Sequence, residues 1–252
     1  MINSMKRLCS LLFFVCLSSL ASAQYTAFGK IEYERKVNIH RQLDDMASEE
    51  GGGWFEKMKS QIPKFRTNYF DYSFNTSASL YKPGREPEDQ PKLMFGNAPA
   101  SDNIVYTDFT TGQVSASKQI FEERFLVKDS MRKMEWKIMD EVRMIGNYKC
   151  RKAVGKICDS VYVVAFYTED IMASGGPEMF SGLPGMILEL AIPRLYSTWI
   201  ATKVEVTAPK KEELAPPEKG KKVTQKEMYD TLMASISKWG NWAQRSIWWS
   251  ML

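Results

Sequence analysis

The chain has 252 residues, 44% of them hydrophobic and 12% aromatic, which is enough apolar material for a packed core and too much for a disordered chain. Its 34 basic and 30 acidic residues give a formal charge of +4, too close to balance to support nucleic-acid binding by overall charge. Beyond the first residues, no segment is apolar for long enough to make a transmembrane helix.

The N-terminal region sets the compartment. Lys6 and Arg7 precede an apolar stretch, residues 11–20, that is too short to span a bilayer, and Ala21-Ser22-Ala23 places small residues where a signal peptidase cuts. Residues 1–23 therefore read as a secretory signal peptide, leaving a single exported domain, 24–252. Cys9 and Cys16 lack a lipobox context and leave with the leader. Cys150 and Cys158 remain. They are candidates for one disulfide if the segment between them turns as a hairpin near Val154-Gly155; the alternative is two buried thiols on neighbouring strands.

The exported part reads mainly as β-structure. Ile31, Tyr33, Val37 and Ile39 alternate with Glu32, Glu34, Lys36 and Asn38, the period of a half-buried strand. Gly51-Gly52-Gly53 breaks the chain, and a short helix is predicted from Trp54 to Gln61, ahead of Pro63. Residues 65–74 read as an aromatic strand with 77–81 as its partner, and 83–101 as a proline-rich surface loop. A meander follows: 104–109 with 114–120 around Thr110-Thr111-Gly112, then 121–127 with 133–139 around Asp129-Ser130, then 141–151 and 157–168. Residues 161–167 have no polar face and read as a central strand buried on both sides. Strands at 186–192 and 198–207 close the series.

Residues 208–222, rich in Lys, Glu and Pro, read as a solvated connector. Thr224 and Glu227 fit a capping box opening a helix whose stripe is Met228, Leu232, Ile236 and Trp239. Gly240 ends it and Asn241 caps a second helix carrying Trp242, Trp248 and Trp249, so helices fill 225–250. These Trp residues suit core sealing, an aromatic platform for sugar or lipid, or contact with a membrane surface.

The run Phe180-Ser181-Gly182-Leu183-Pro184-Gly185-Met186-Ile187 carries a resemblance. Gly182 to Ile187 resembles the hexapeptide of the GLPGLI family, exported proteins of Bacteroidetes, with Met186 where the family has leucine. Upstream, residues 146–153 and Ala165-Phe166-Tyr167-Thr168, Ile171 and Gly176-Pro177 resemble that family's approach to the motif. The resemblance implies periplasmic or outer-membrane-associated location and company with TonB-dependent outer-membrane transport systems. It implies no established enzymatic activity. A more distant resemblance is to the bowl-shaped N-terminal domain of a secreted peptide:N-glycanase.

Two readings of the motif stay open. Pro184-Gly185 suits the centre of a type II turn delivering Met186 into the sheet. Alternatively Gly182, Leu183, Pro184 and Gly185 form a binding loop with exposed backbone N–H groups. Catalytic and metal signatures are missing: His40 is the single histidine, at a strand end, and no metal-ligand spacing or phosphate loop occurs. Glu169-Asp170 are the first candidates for a glycosidase-type pair, although adjacent residues of an extended chain point to opposite faces.

The fold expected is mainly antiparallel β, α+β by strict count: a curved many-stranded sheet or half-open barrel, covered by a short helix from the N-terminal half and by the C-terminal amphipathic helix. The expected function is that of a non-catalytic accessory or ligand-binding protein. Its partners would be an outer-membrane transporter or other envelope protein and an apolar or glycan ligand, with no nucleic acid and no cofactor. The alternatives are a carboxylate-based hydrolase acting on glycan and a small outer-membrane β-barrel.

Overall fold

The computed structural model describes residues 25–50, 53–88, 98–158, 160–236 and 240–252. The expected signal peptide, Gly51-Gly52, much of the 83–101 loop, Trp239 and the side chains of Trp54 and Trp242 lie outside the described residues.

Among the described residues, twelve strands form one sheet. The first six are β1 (Gly29–Asn38), β2 (Phe65–Phe74), β3 (Ala78–Pro83), β4 (Ile104–Asp108), β5 (Gln113–Ile120) and β6 (Glu123–Ser130). The rest are β7 (Lys137–Ile145), β8 (Tyr148–Ile157), β9 (Val161–Thr168), β10 (Met186–Ile192), β11 (Ser197–Glu205) and β12 (Lys221–Val223). Their order is β12-β6-β5-β4-β3-β2-β1-β11-β10-β9-β8-β7. This resolves into two antiparallel meanders, β1 to β6 and β7 to β11, joined along β1 and β11, where Arg35 lies opposite Trp199. Of these strands only β12 runs parallel to its neighbour, β6.

The order forces curvature. On a flat sheet β6 and β7 would stand roughly ten strand spacings apart, about 48 Å. The link between them, residues 131–136, reaches about 25 Å at full stretch. The sheet must therefore curl until its rims approach, as an open barrel. Its concave face is apolar: Ile31, Tyr33 and Val37 of β1, Phe70 and Phe74 of β2 and Leu190 of β10 are buried. The other face of β1 carries Lys30, Glu32, Glu34 and Lys36, joined in ion pairs with Glu213 and Arg85 and between Lys36 and Glu34. An outer-membrane barrel turns an apolar band outward and a polar interior inward, the reverse of this arrangement.

Four α-helices accompany the sheet among the described residues: α1 (Ile39–Glu50), α2 (Gly53–Lys59), α3 (Gln225–Ile236) and α4 (Gly240–Ser250). The first is not predicted by the sequence pattern, which continues the strand through Ile39. Asn38 ends that strand by capping: its Oδ1 accepts the Arg41 N–H at 3.1 Å. His40 bonds the Ile62 carbonyl at 3.1 Å, a structural role. The predicted helix after the glycines is α2, which packs on α1 with Lys59 paired to Asp44 and Glu56. The capping box of α3 forms as predicted, Glu227 Oε2 accepting the Thr224 N–H at 2.7 Å and Thr224 Oγ1 the Glu227 N–H at 3.2 Å.

The middle of the chain differs from the sequence reading. Residues 121–127 and 133–139 do not form a hairpin, because β6 and β7 lie in different meanders. Gly155 is no turn either; it sits within β8. A Cβ there would come within 2.9 Å of Met134 and Trp136, so the missing side chain makes room for the crossing link. Cys150 and Cys158 therefore stand near opposite ends of one continuous strand. Eight residues of strand span about 26 Å, far beyond the ~7 Å a disulfide tolerates, and the two are not bonded to each other. Val161–Thr168 is interior to the sheet as expected, but Tyr162 is 62% exposed, so one face is partly open. The connector has no buried residue, as expected, but it is not irregular throughout: residues 221–223 supply β12, with Lys221 and Lys222 exposed.

Candidate functional site

The loop from β9 to β10, residues 169–185, carries the GLPG motif and runs into the barrel. Residues 175–181 are buried throughout, while Gly182 and Pro184 are exposed. Both of its ends are pinned. The Gly182 N–H donates to Ser174 Oγ at 3.0 Å, and Trp136 Nε1 donates to the Ser181 carbonyl at 2.9 Å. Tyr33 Oη donates to the Ile187 carbonyl at 2.6 Å, and the Ile187 N–H to the Gly175 carbonyl at 2.9 Å.

The motif turn is tighter than type II. The Gly185 N–H donates to the Leu183 carbonyl at 2.8 Å, closing over three residues. Gly185 has φ +148°, and a Cβ there would fall 2.0 Å from the Thr168 carbonyl oxygen. Only glycine fits this crossing. Leu183 is buried as an anchor, so of the four motif residues only Gly182 and Pro184 face outward.

At the depth of the loop lies a residue that the sequence pattern does not single out. Glu178, with φ +55° and 2% exposure, projects into a polar cluster on the concave face. Asn103 Nδ2 donates to it at 2.8 Å and Tyr81 Oη at 3.3 Å, while Trp199 Nε1 donates to Tyr81 Oη at 3.1 Å. Arg35 lies beside it, fully buried. Its guanidinium donates to the Pro99 and Ala100 carbonyls and to Asn68 Oδ1, and rests over the rings of Phe70, Trp249 and Trp199 at 5.1, 5.4 and 5.7 Å. Lys118, from β5, donates to the Ser250 carbonyl at 3.1 Å, and Arg132, from the crossing link, to the Met251 carbonyl.

Burial dominates the electrostatics. It raises the Glu178 carboxyl, against the pull of the Asn103 hydrogen bond and of Lys118 and Arg35. It lowers Lys118 to about 7, which Glu178 opposes and Arg132 reinforces. It also lowers Arg35 and Arg132. Two basic side chains, Lys118 and Arg35, thus flank one carboxylate under a lid formed by the end of α4, with Arg132 beside Lys118. This arrangement holds charges and carbonyls in place; it aligns no nucleophile with a base. Among the described residues, no group of three His, Cys, Asp or Glu side chains could hold a metal ion.

Glu169 and Asp170 are exposed at the end of β9, and the Asp170 carbonyl accepts the Thr26 N–H, so they take no part in the buried cluster. The cluster does leave a trace in the sequence. Arg35 interrupts the inward series Ile31, Tyr33, Val37, and Lys118 the series Val114, Ala116, Ile120. A charge in an apolar register of period two is the sign of a buried polar group.

On the outer surface, a groove of about 700 Å³ runs beside β2, lined by Pro63, Phe65, Thr67, Tyr69, Arg85, Pro87 and Glu88. Phe65 is 46% exposed there, and Arg85 stacks on Tyr69 at 3.4 Å while paired to Glu32 at 2.9 Å.

A family model, Porph_ging, described as a protein of unknown function, matches residues 155–189, from the end of β8 through the buried loop into β10. No curated protein matches the chain. Among solved structures, two of PNGF-II are similar at 18% identity. They have TM-scores of 0.51 and 0.52, over 88% and 81% of this chain. The chain spans about a third of the PNGF-II chain, 33% in both. The likeness is one of fold. An uncharacterized conserved protein from Thermus thermophilus is more distantly similar, at 6% identity and a TM-score of 0.39, covering 79% of this chain and 91% of that one.

Proposed function

We propose that the chain is an exported, non-catalytic binding protein of the GLPGLI type, located in the periplasm or at the outer membrane, that serves as an accessory to an outer-membrane transport system. The observation that carries this reading is the contrast between the two faces of the sheet. The concave face is sealed by the protein's own loop and helix, whereas the groove beside β2 is open and offers an aromatic ring, an arginine and a carboxylate. Such a groove suits a glycan or a segment of a partner protein, by stacking and hydrogen bonding. The leader-like residues 1–23 support export.

The test is a pull-down from native membranes with the tagged chain, followed by mass spectrometry. Recovery of a transporter component, reduced by Phe65→Ser or Arg85→Ala, supports the reading. Recovery of the monomer alone refutes it.

A second reading, a carboxylate-based hydrolase acting on glycan, is favoured by the raised carboxyl of Glu178. Against it, Glu178 is shut off from solvent and already held by Asn103 and Tyr81. Glycan release by the wild-type chain that disappears in Glu178→Gln would establish it.

A further inference from the structure

Residues 249–252 are held in a manner that reads a peptide. Three successive carbonyl oxygens each receive a donor: Ser250 from Lys118 at 3.1 Å, Met251 from Arg132, and Leu252 from the Met179 N–H at 3.2 Å. The Trp249 and Leu252 side chains are buried, with Trp249 tilted against Trp199 at 6.3 Å. The donors come from β5, from the crossing link and from the motif loop. The last carbonyls of a helix have no partners within it and carry the negative end of its dipole, so cations are their natural readers.

The seat offers more donors than this segment uses. Arg35 Nε and Arg132 Nη1 are enclosed without an acceptor among the described residues, although buried donors are ordinarily satisfied. Residues 240–252 contain no Asp or Glu that could meet them. Moreover, Ile236, Ala243 and Ile247 of α3 and α4 form a small cluster separate from the main core. The helix pair thus has contacts of its own, and it is tied to the main core by Met228 and Leu232 of α3 and by Trp249 and Leu252 of α4 and its extension, with Trp248 and Met251 packed against that core.

We infer that this seat is a peptide-binding site, filled here by the chain's own residues 249–252, that accepts the last turn of an amphipathic helix from a partner protein. The partner's helix would present free terminal carbonyls, an apolar anchor in the place of Trp249, and an acidic side chain for the surplus donors. A second copy of this chain is the poorer occupant, since its segment would bring the same shortage of acceptors. This inference concerns the concave face and stands apart from the groove beside β2.

The covalently attached segment competes at an effective concentration in the millimolar range, so the wild-type chain masks its own site. The experiment weakens that competitor within the full chain. Fluorescent peptides of residues 246–252, blocked at both ends, with and without Met251→Glu, are titrated against wild type and Trp249→Ala. Trp249→Ala is expected to bind at least about tenfold more tightly than wild type, to prefer the acidic peptide, and to lose that preference when Arg132→Met is added. Absence of binding to a folded Trp249→Ala chain overturns the inference, as does binding indifferent to Arg132→Met. Preference for the unmodified peptide does so too, pointing to a second copy. Should Trp249→Ala fail to fold, Leu252→Ala takes its place. Failure of both to fold would make the segment permanent core and end the proposal.

Discussion

The guanidinium of Arg35 lies 5.4 Å from the ring centre of Trp249, which ties the strand at the seam of the two meanders to the helix that lids the concave face. Because Arg35 also donates to the Pro99 and Ala100 carbonyls and to Asn68, one side chain braces three parts of the molecule. Arg35→Ala is expected to cost about 3–5 kcal/mol, since Glu178 loses a cation and two carbonyls lose their donor. Arg35→Lys keeps the charge but not the fork, and should cost about 1–3 kcal/mol. Guanidinium denaturation measures both, and a loss below about 1 kcal/mol for Arg35→Ala would remove the cluster from the stability argument.

Lys118 predicts a dependence on pH. Burial lowers it from 10.5 to about 7 in the folded chain. The unfolded chain therefore binds more protons between these values, and stability rises with pH across that window, by at most about 1.4 kcal/mol per pH unit. Below about 7 the cost of the buried charge is fully present. Glu178 acts oppositely at lower pH: its raised carboxyl gives stability that is present below the ordinary value of 4.5 and lost as pH rises through the folded value. In urea melts from about pH 7 to about pH 9.5, within the window between the two lysine values, Lys118→Met should flatten the rise seen in wild type. An identical slope in both proteins would assign it to other groups.

Gly185 should be the motif position least tolerant of change. Gly185→Ala places a Cβ against the Thr168 carbonyl at a positive φ, and is expected to cost about 2–4 kcal/mol. Pro184→Ala, at an exposed position, should stay within about 1 kcal/mol. Equal midpoints for the two variants in chemical denaturation would contradict the structure.

Reductant should not alter the unfolding of residues 24–252, because Cys150 and Cys158 are separated by the length of β8. Thermal melts with and without dithiothreitol are expected to superimpose. A midpoint lowered by reductant would mean a cross-link that this strand cannot accommodate.

Much of the architecture is legible in local patterns. Period-two alternation marks β1, and the Thr224–Glu227 box marks the start of α3, because both depend on neighbours within a few residues. The site is much less legible. Glu178 sits in a Gly/Pro-rich run that reads as a turn, and nothing local says that the run points inward. Gly155 reads as a turn residue because the reason for its missing side chain, Trp136, comes from a link that crosses the mouth of the barrel. The hairpin predicted around Asp129-Ser130 fails for the same reason: chain proximity suggests pairing, whereas the sheet places these strands in separate meanders. Arg35 and Lys118 are readable as charges in apolar registers, a signal that gains its meaning only once both are known to face the same interior.

The seam between β1 and β11 sets an order of assembly. Every other antiparallel pairing in the sheet joins strands that follow one another in sequence, so each meander can zip from its own turns. The β1–β11 ladder instead matches Val37 with Ser197 and Lys30 with Glu205, and closes the longest loop of the sheet. The two halves can thus form early and wait, with the slow step being their meeting. A chain released before residue 197 would have one complete meander whose β1 edge stays unpaired and open to the wrong neighbour.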